Sequence, residues 1–350
     1  MSVIIRSATG PCQQMTTTSN GYPWQDGDIL DAADLNVAFA AAYNNVGRNL
    51  IHNPLFNIAQ RGMGPFNTNG AYTLDRWELF FALDTIGVQP VALADAQRTA
   101  IGDEAATQAM AISVIGNAGA SAFSCVNQYI EGVRRLAGKT VTVSFWAYAT
   151  TGSPKIGVAA TQQFGSGGSP SADVLINGTA TPALTNSPVR YSITFTYPSV
   201  AGKTLGTNGN DSSRLGLFFS CGATYNTFAG GIGVQSATFV LWGVQLEVGS
   251  VATPLEKPDP RYDLSNCQRF FHVGWLQQGG YNVNAGPGLS AYTLPVTMHH
   301  APTLVPYFTF AVCTLNNFSA SGSGNLGLTV TATATGTYLC YGNFTASADL

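Results

Sequence analysis

The sequence predicts a mainly β chain, folded as a sandwich or barrel of short strands. Three observations predict it. Only 9% of the 350 residues are charged, against roughly 25% in an ordinary globular protein. Several segments alternate apolar and polar residues at period two, as half-buried strands do. Turn-forming residues recur between those segments, and strands alternating with helices, the mark of a parallel α/β sheet, do not appear.

The elements follow in chain order. Residues 1–48 form an N-terminal segment with one expected helix. Asp31 is placed as its N-cap and Gly47 as its stop, and Leu35, Phe39, Ala42 and Val46 recur at helical spacing. That apolar stripe calls for a partner, either other copies in a bundle or a docking surface. From 49 to 258 the pattern is β. In 140–148, Val141, Val143 and Phe145 fall on one face, with Thr142, Ser144, Trp146 and Tyr148 on the other. In 190–198, Tyr191, Ile193, Phe195 and Tyr197 share a face. Residues 213–221 and 236–249 also read as strands, with Trp242 expected in the core beside Val240, Val244 and Leu246. Residues 257–263 (KPDPRYD) read as a linker, and 259–350 as a smaller β-rich domain.

Charge and cysteine usage narrow the function. The net charge is −3 with no basic run, which argues against nucleic acid and anionic membrane as partners. No apolar stretch is long enough for membrane insertion. The opening residues lack a secretory apolar run of about 7–15 residues, so synthesis in a cytoplasm is expected. No two of the six cysteines form a C-x-x-C pair. Buried free thiols are expected, with later disulfides left open.

Specific words then become familiar. NLIHNPLFNIAQRG (49–62), YTLDRWEL (72–79), RRLAGKTVTVSFWA (134–147), VRYSITFTYP (189–198), GKTLGTNGNDSSRLGLFFSCG (202–222) and GVQLEVGSVATPLEKPDPRYDLSNCQRFF (243–271) resemble a module of bacteriophage and prophage fibre or spike proteins, and of gene-transfer-agent particles. GDILDAADLN (27–36), LPVTMHHAPT (294–303) and the closing ASADL resemble other parts of such chains. The resemblance implies a jelly-roll β-sandwich similar to carbohydrate-binding modules, a homotrimer attached to other virion proteins through the N-terminal segment, and host-surface polysaccharide as partner. It also implies a structural calcium ion, for which Asn53, Asn57 and Glu247 are the oxygen donors to consider; no other cofactor is expected.

Catalytic chemistry finds little support. Two Gly-Lys-Thr words, at 138–140 and 202–204, lack the earlier glycine of a phosphate loop, since Val133 and Tyr197 stand there. His299 and His300 would point to opposite faces of a strand. No G-x-S-x-G elbow occurs, and no carboxylate pair stands out for glycoside hydrolysis. Sugar binding needs exposed rings beside neutral polar groups. Trp146 and Tyr148 either line such a surface or pack under a loop or a neighbouring subunit. Tyr281 and Tyr292 are the second set. The expectation is therefore a non-enzymatic virion fibre or spike binding host polysaccharide. Alternatives are a purely structural collar, neck or capsid component, or a depolymerase.

Overall fold

The computed structural model describes residues 47–282 and 287–350. The expected helix stripe of Leu35, Phe39, Ala42 and Val46 lies outside these residues. The fold is mainly β. Ten strands, β1 (Glu78–Ala82), β2 (Thr85–Ala92), β3 (Gln108–Ile115), β4 (Phe123–Glu131), β5 (Thr140–Ala149), β6 (Gly157–Gln163), β7 (Val174–Ala180), β8 (Val189–Thr196), β9 (Ser212–Cys221) and β10 (Ser236–Val248), form two five-stranded sheets. The first sheet runs β1-β4-β9-β6-β7 and the second β2-β3-β10-β5-β8. Every ladder in both is antiparallel. Strands β3 to β10 divide between two four-stranded layers in jelly-roll order, with β6 and β7 as neighbours in one layer, and β1 and β2 extend one edge of each layer.

The core between the sheets is made by the alternation read from sequence. Val141, Val143 and Phe145 meet Leu215, Leu217 and Phe219 across it, and Trp77 and Phe56 close one end. Tyr191, Ile193 and Tyr197 of the second sheet face the same core.

Strand β10 departs from simple alternation. A β-bulge falls between Trp242 and Gln245, and Gly243 there adopts φ +63, a region open to glycine at little cost. The bulge reverses which residues face inward. Leu241, Val244 and Leu246 reach the core, while Val240 and Trp242 turn to the outer face. Trp242 is thus buried, but on the opposite side from Val244 and Leu246. There it packs with Leu93 and Ile101 at the ends of helix α1 (Asp95–Ile101), which closes on Gly102 at φ 77.

The expected linker 257–263 instead starts a helix, α2 (Pro260–Gln268). The Asp259 carboxylate caps the Arg261 N–H, and Pro260 takes the first turn, where its missing N–H costs nothing. Six further strands follow: β11 (Phe271–Asn282), β12 (Pro287–Thr293), β13 (Thr303–Ala311), β14 (Cys313–Ser321), β15 (Asn325–Ala332) and β16 (Gly336–Ser347). They make two three-stranded sheets, β11-β16-β13 and β12-β15-β14. A separate core of Leu276, Leu328, Val330, Cys340 and Phe344 lies between them. His299 and His300 lie outside any strand; the His299 ring stacks on Phe270 at 5.5 Å. The cysteines Cys125, Cys221, Cys267, Cys313 and Cys340 are free and buried.

Candidate functional site

The two outer faces of the jelly roll differ in what covers them. On the second sheet, Thr142, Ser144, Gln245 and Glu247 point outward yet are buried, because residues 249–256 strap across them. Thr253 donates to Glu247 from its backbone N–H at 2.9 Å and its hydroxyl at 2.6 Å. The Gln245 amide donates to Glu247 at 2.8 Å, and the Glu256 N–H donates back to Gln245 at 2.7 Å. Arg190 donates to the Thr253 carbonyl and to the Ser144 hydroxyl.

This strap decides the place of Trp146 and Tyr148. Both are half-buried and pack with Leu55, Leu255 and Trp242. Trp146 meets Trp242 edge-on at 5.3 Å, and the Arg190 guanidinium lies over its ring at 4.8 Å. The rings pack beside the strap, as one of the two sequence readings has it, while each keeps part of its surface exposed. Tyr281 and Tyr292 are on the terminal unit, apart from this pair. Tyr281 is exposed on β11, and the Tyr292 hydroxyl pairs with His272 Nε2 at 3.1 Å.

Asn53, Asn57 and Glu247 do not assemble a calcium cage. The Asn53 amide donates to the Ile58 and Asp75 carbonyls and its oxygen accepts from the Ile58 N–H. Asn57 is exposed. Both Glu247 oxygens take protein donors, and Arg48 sits 3.3 Å from one of them. A cation beside the carboxylate already supplies the charge a metal would bring.

On the first sheet the outer face is covered unevenly, with Glu78, Tyr129 and Arg214 partly exposed and Asn127 and Thr161 buried between them. Its far half is apolar and lies under the loop after β9, where Tyr225, Phe228, Ala229 and Ile232 pack on Phe123, Cys125, Ala159 and Phe218. Burial pushes the Cys125 thiol up to about 12. The near half carries hydrogen-bonding side chains. Their places follow from strand parity: Leu79, Val126, Ile130, Ala160, Leu215 and Leu217 face the core, so Glu78, Asn127, Tyr129, Thr161 and Arg214 face outward. The register sets Glu78 beside Asn127, and Arg214 between Tyr129 and Thr161.

These side chains hold one another. Tyr129 donates its hydroxyl to Glu78 Oε2 at 2.7 Å, and Asn127 donates to the same oxygen at 3.1 Å. Arg214 donates to the Thr161 hydroxyl at 3.0 Å. Burial, then the neighbouring Glu78 carboxylate, raises the Tyr129 phenol above its ordinary range, so it remains a neutral donor. Gly216 lies between Asn127 and Ala159. A Cβ there would sit 2.9 Å from the Phe218 ring and 3.1 Å from the Asn127 amide oxygen, so glycine keeps the floor of this face low. Exposed Leu175 on β7 borders the row next to Thr161.

The row carries acceptors at one end and donors at the other, on rigid strands, around one ring. It lacks the facing carboxylates of a glycosidase. Glu131, the acid on β4's outer side, is four residues past Asn127, which pairs with Glu78, and so lies roughly 14 Å along the strand, against a working separation of about 5–10 Å. Both its oxygens accept from Arg269 at 2.9 Å. Sequence reasoning passed over this row, because Asn127, Tyr129 and Arg214 are scattered on strands that read as buried. The available signal was the polar residue at every second position of CVNQYIE (125–131).

The chain matches no protein family and no curated protein. Among solved structures it is similar to the enzymatically active domain of tailspike protein 4 of bacteriophage CBA120, with a TM-score of 0.31 and 13% identity over 58% of this chain and 22% of that one. It is also similar to the family 11 carbohydrate-binding module of Clostridium thermocellum in complex with a β-1,3-1,4-mixed-linked tetrasaccharide (TM-score 0.31, 10% identity, 55% of this chain and 99% of that one). A third is the CBM22-1 xylan-binding domain of Paenibacillus barcinonensis Xyn10C (TM-score 0.30, 11% identity, 58% and 96%). The chain spans about a fifth of the length of the tailspike domain.

Proposed function

We propose that this chain is a non-enzymatic fibre or spike protein of a bacteriophage-like particle whose jelly roll binds a host-surface polysaccharide. The observation that carries the binding role is the partly exposed trio Glu78, Tyr129 and Arg214, held in place by the buried Asn127 and Thr161. Its donors and acceptors are set in place by bonds to one another, so little side-chain entropy is lost when hydroxyl groups dock on them. The particle role is supported by the resemblance of segments such as 49–62 and 243–271 to phage and prophage fibre chains. A homotrimer joined to other virion proteins through residues 1–48 belongs to the same reading, as does location in the virion.

The test is binding of the purified chain to host-surface polysaccharide and to a glycan array, alongside Arg214→Ala and Tyr129→Phe. Binding by the wild type that falls about tenfold in Arg214→Ala, at unchanged melting temperature, supports the reading. Wild-type binding that ignores both substitutions moves the site off this sheet. Absence of binding to any glycan by a correctly assembled protein would favour a structural component of the particle.

A further inference from the structure

The terminal unit carries a second surface with a different chemistry. In the sheet β11-β16-β13, one face of each strand is buried over Leu276, Cys340 and Phe344. The other face is open, and among its residues are Trp275, 53% exposed, Tyr307, 61% exposed, and Tyr341, 38% exposed. The three strands contain no Asp, Glu, Lys or Arg.

Register turns these residues into two rows. Trp275 on β11 and Tyr307 on β13 both pair with Asn343 of the central strand. Gln277 and Thr309 both pair with Tyr341, two positions back along β16. One row therefore reads ring, amide, ring, and the next amide, ring, hydroxyl. Trp275 and Tyr307 stand two strand spacings apart, about 10 Å, which is close to the length of one disaccharide in an extended β-linked chain. At one end the face runs into a cleft of about 490 Å³ formed with Gln60 and Arg61 of the sandwich.

The layout also bears on what fits there. A subunit interface gathers apolar residues at its centre and polar ones at its rim. Here the central strand presents Thr345, Asn343 and Tyr341, each with a hydrogen-bonding group, and the flanking strands carry Val273 and Val305 beside Thr345 as well as Trp275 and Tyr307. Rings take the apolar C–H faces of a pyranose, and amides between them take its hydroxyls. The strands carry no fixed charge, and the neighbouring Arg61 is already paired with Asp75 and Asp349, so an anionic polymer finds no unpaired counter-charge there. We infer that this face is a second glycan site, which takes a neutral β-linked polysaccharide laid across the strands, from Trp275 over Asn343 to Tyr307.

The experiment uses the full chain with cellohexaose, xylohexaose and mannohexaose as probes. Titration calorimetry and tryptophan fluorescence read binding, and sedimentation velocity reads assembly. At least one probe should bind the wild type, with affinity lowered about tenfold or more by Trp275→Ala and by Tyr307→Ala. Both rings are exposed, so melting temperatures should stay within a few degrees; Asn343→Ala, which keeps both rings, is the second variant and should weaken the same probe. Binding that is lost only in Arg214→Ala overturns this second site while sustaining the sandwich site. Binding of none of the probes also overturns it. So does a change of oligomeric state in Trp275→Ala, which would make the face a contact between copies of this chain.

Discussion

Single side chains in this protein take their roles from what neighbours them. Tyr129 is the clearest case. Its hydroxyl is spent on Glu78, which fixes the carboxylate in the binding row. Tyr129→Phe should cost about 1 kcal/mol of stability and lower glycan affinity several-fold by releasing Glu78, as read by paired chemical denaturation and calorimetry. Trp146 has the opposite character. Its ring fills the space between Trp242, Leu255 and Arg190, so Trp146→Ala should destabilise by about 2–4 kcal/mol and leave glycan affinity within twofold once folded protein is compared. Loss of binding with stability unchanged would return Trp146 to a recognition role. The five described cysteines lie out of reach of solvent, and burial pushes Cys340 up to about 11 and Cys125 to about 12. At least five thiols per chain should resist a thiol reagent at pH 8 and react once guanidinium unfolds the protein.

At the level of elements, the bulge in β10 is the decisive irregularity. It lets one strand feed the central core with Leu241 and Leu246 while burying Trp242 under α1 on the other side. A Cβ at Gly243 would lie 3.0 Å from both the Trp146 ring and Leu255, and its φ of +63 disfavours a branched side chain. Gly243→Val should therefore cost about 1–3 kcal/mol and lower the melting temperature by several degrees. An unchanged melting curve would mean that the strap and the bulge do not depend on each other. The binding row depends on a different property, the regular alternation of β4, β6 and β9 beyond the register shift at Ser124/Cys125. Alternation along β5 and β8 was legible in the sequence because each strand has one clearly apolar face. In β4 and β9 both faces are covered in part, so apolar residues on both sides hid the alternation.

Across the whole molecule, the jelly roll and the terminal unit meet through charges and rings rather than a shared apolar core. The Arg76 guanidinium lies 3.3 Å from the centre of the Phe270 ring, and His52 packs at 6.1 Å on the same ring. Arg61 covers Phe271 at 3.6 Å and pairs with Asp75 and Asp349. The Asn53 N–H donates to Asp263 of α2 at 2.7 Å. Burial, then the cations Arg76, Arg269 and Arg135, lowers His52 to about 3. Burial raises Asp263 to about 6. The two act in opposite senses. His52 is held neutral in the folded state, so the unfolded chain binds its proton first, and stability falls as pH drops from 6.5 toward 3, by up to ~5 kcal/mol. Asp263 protonates more readily when folded, so stability rises as pH drops from 6 toward 3.8, by up to ~3 kcal/mol. At pH 4.5 the two largely offset each other, so urea unfolding at pH 7 and pH 4.5 should show His52→Gln gaining stability on acidification relative to the wild type. The substitution removes the His52 loss and exposes the Asp263 gain. An acid slope unaltered by His52→Gln would place the acid sensitivity elsewhere.

The sequence by itself determined the β class, the strands whose inner faces build the sandwich core, and the absence of phosphate-loop and serine-elbow motifs. These follow from composition and from local periodicity, which act over a few residues. It also contained the start of α2, since Asp259 followed by Pro260 is a helix cap with proline in its first turn, although the same proline and charge pattern reads equally as a linker. What only the tertiary structure decided is which outer face stays open. The strap 249–256 lies across Trp146 and commits Glu247, and the loop after β9 covers half of the other sheet. Glu78, Tyr129 and Arg214, distant in sequence, become neighbours through ladders between strands. Coverage and adjacency depend on where distant segments come to rest, and no pattern along the chain encodes that until the sheets have paired.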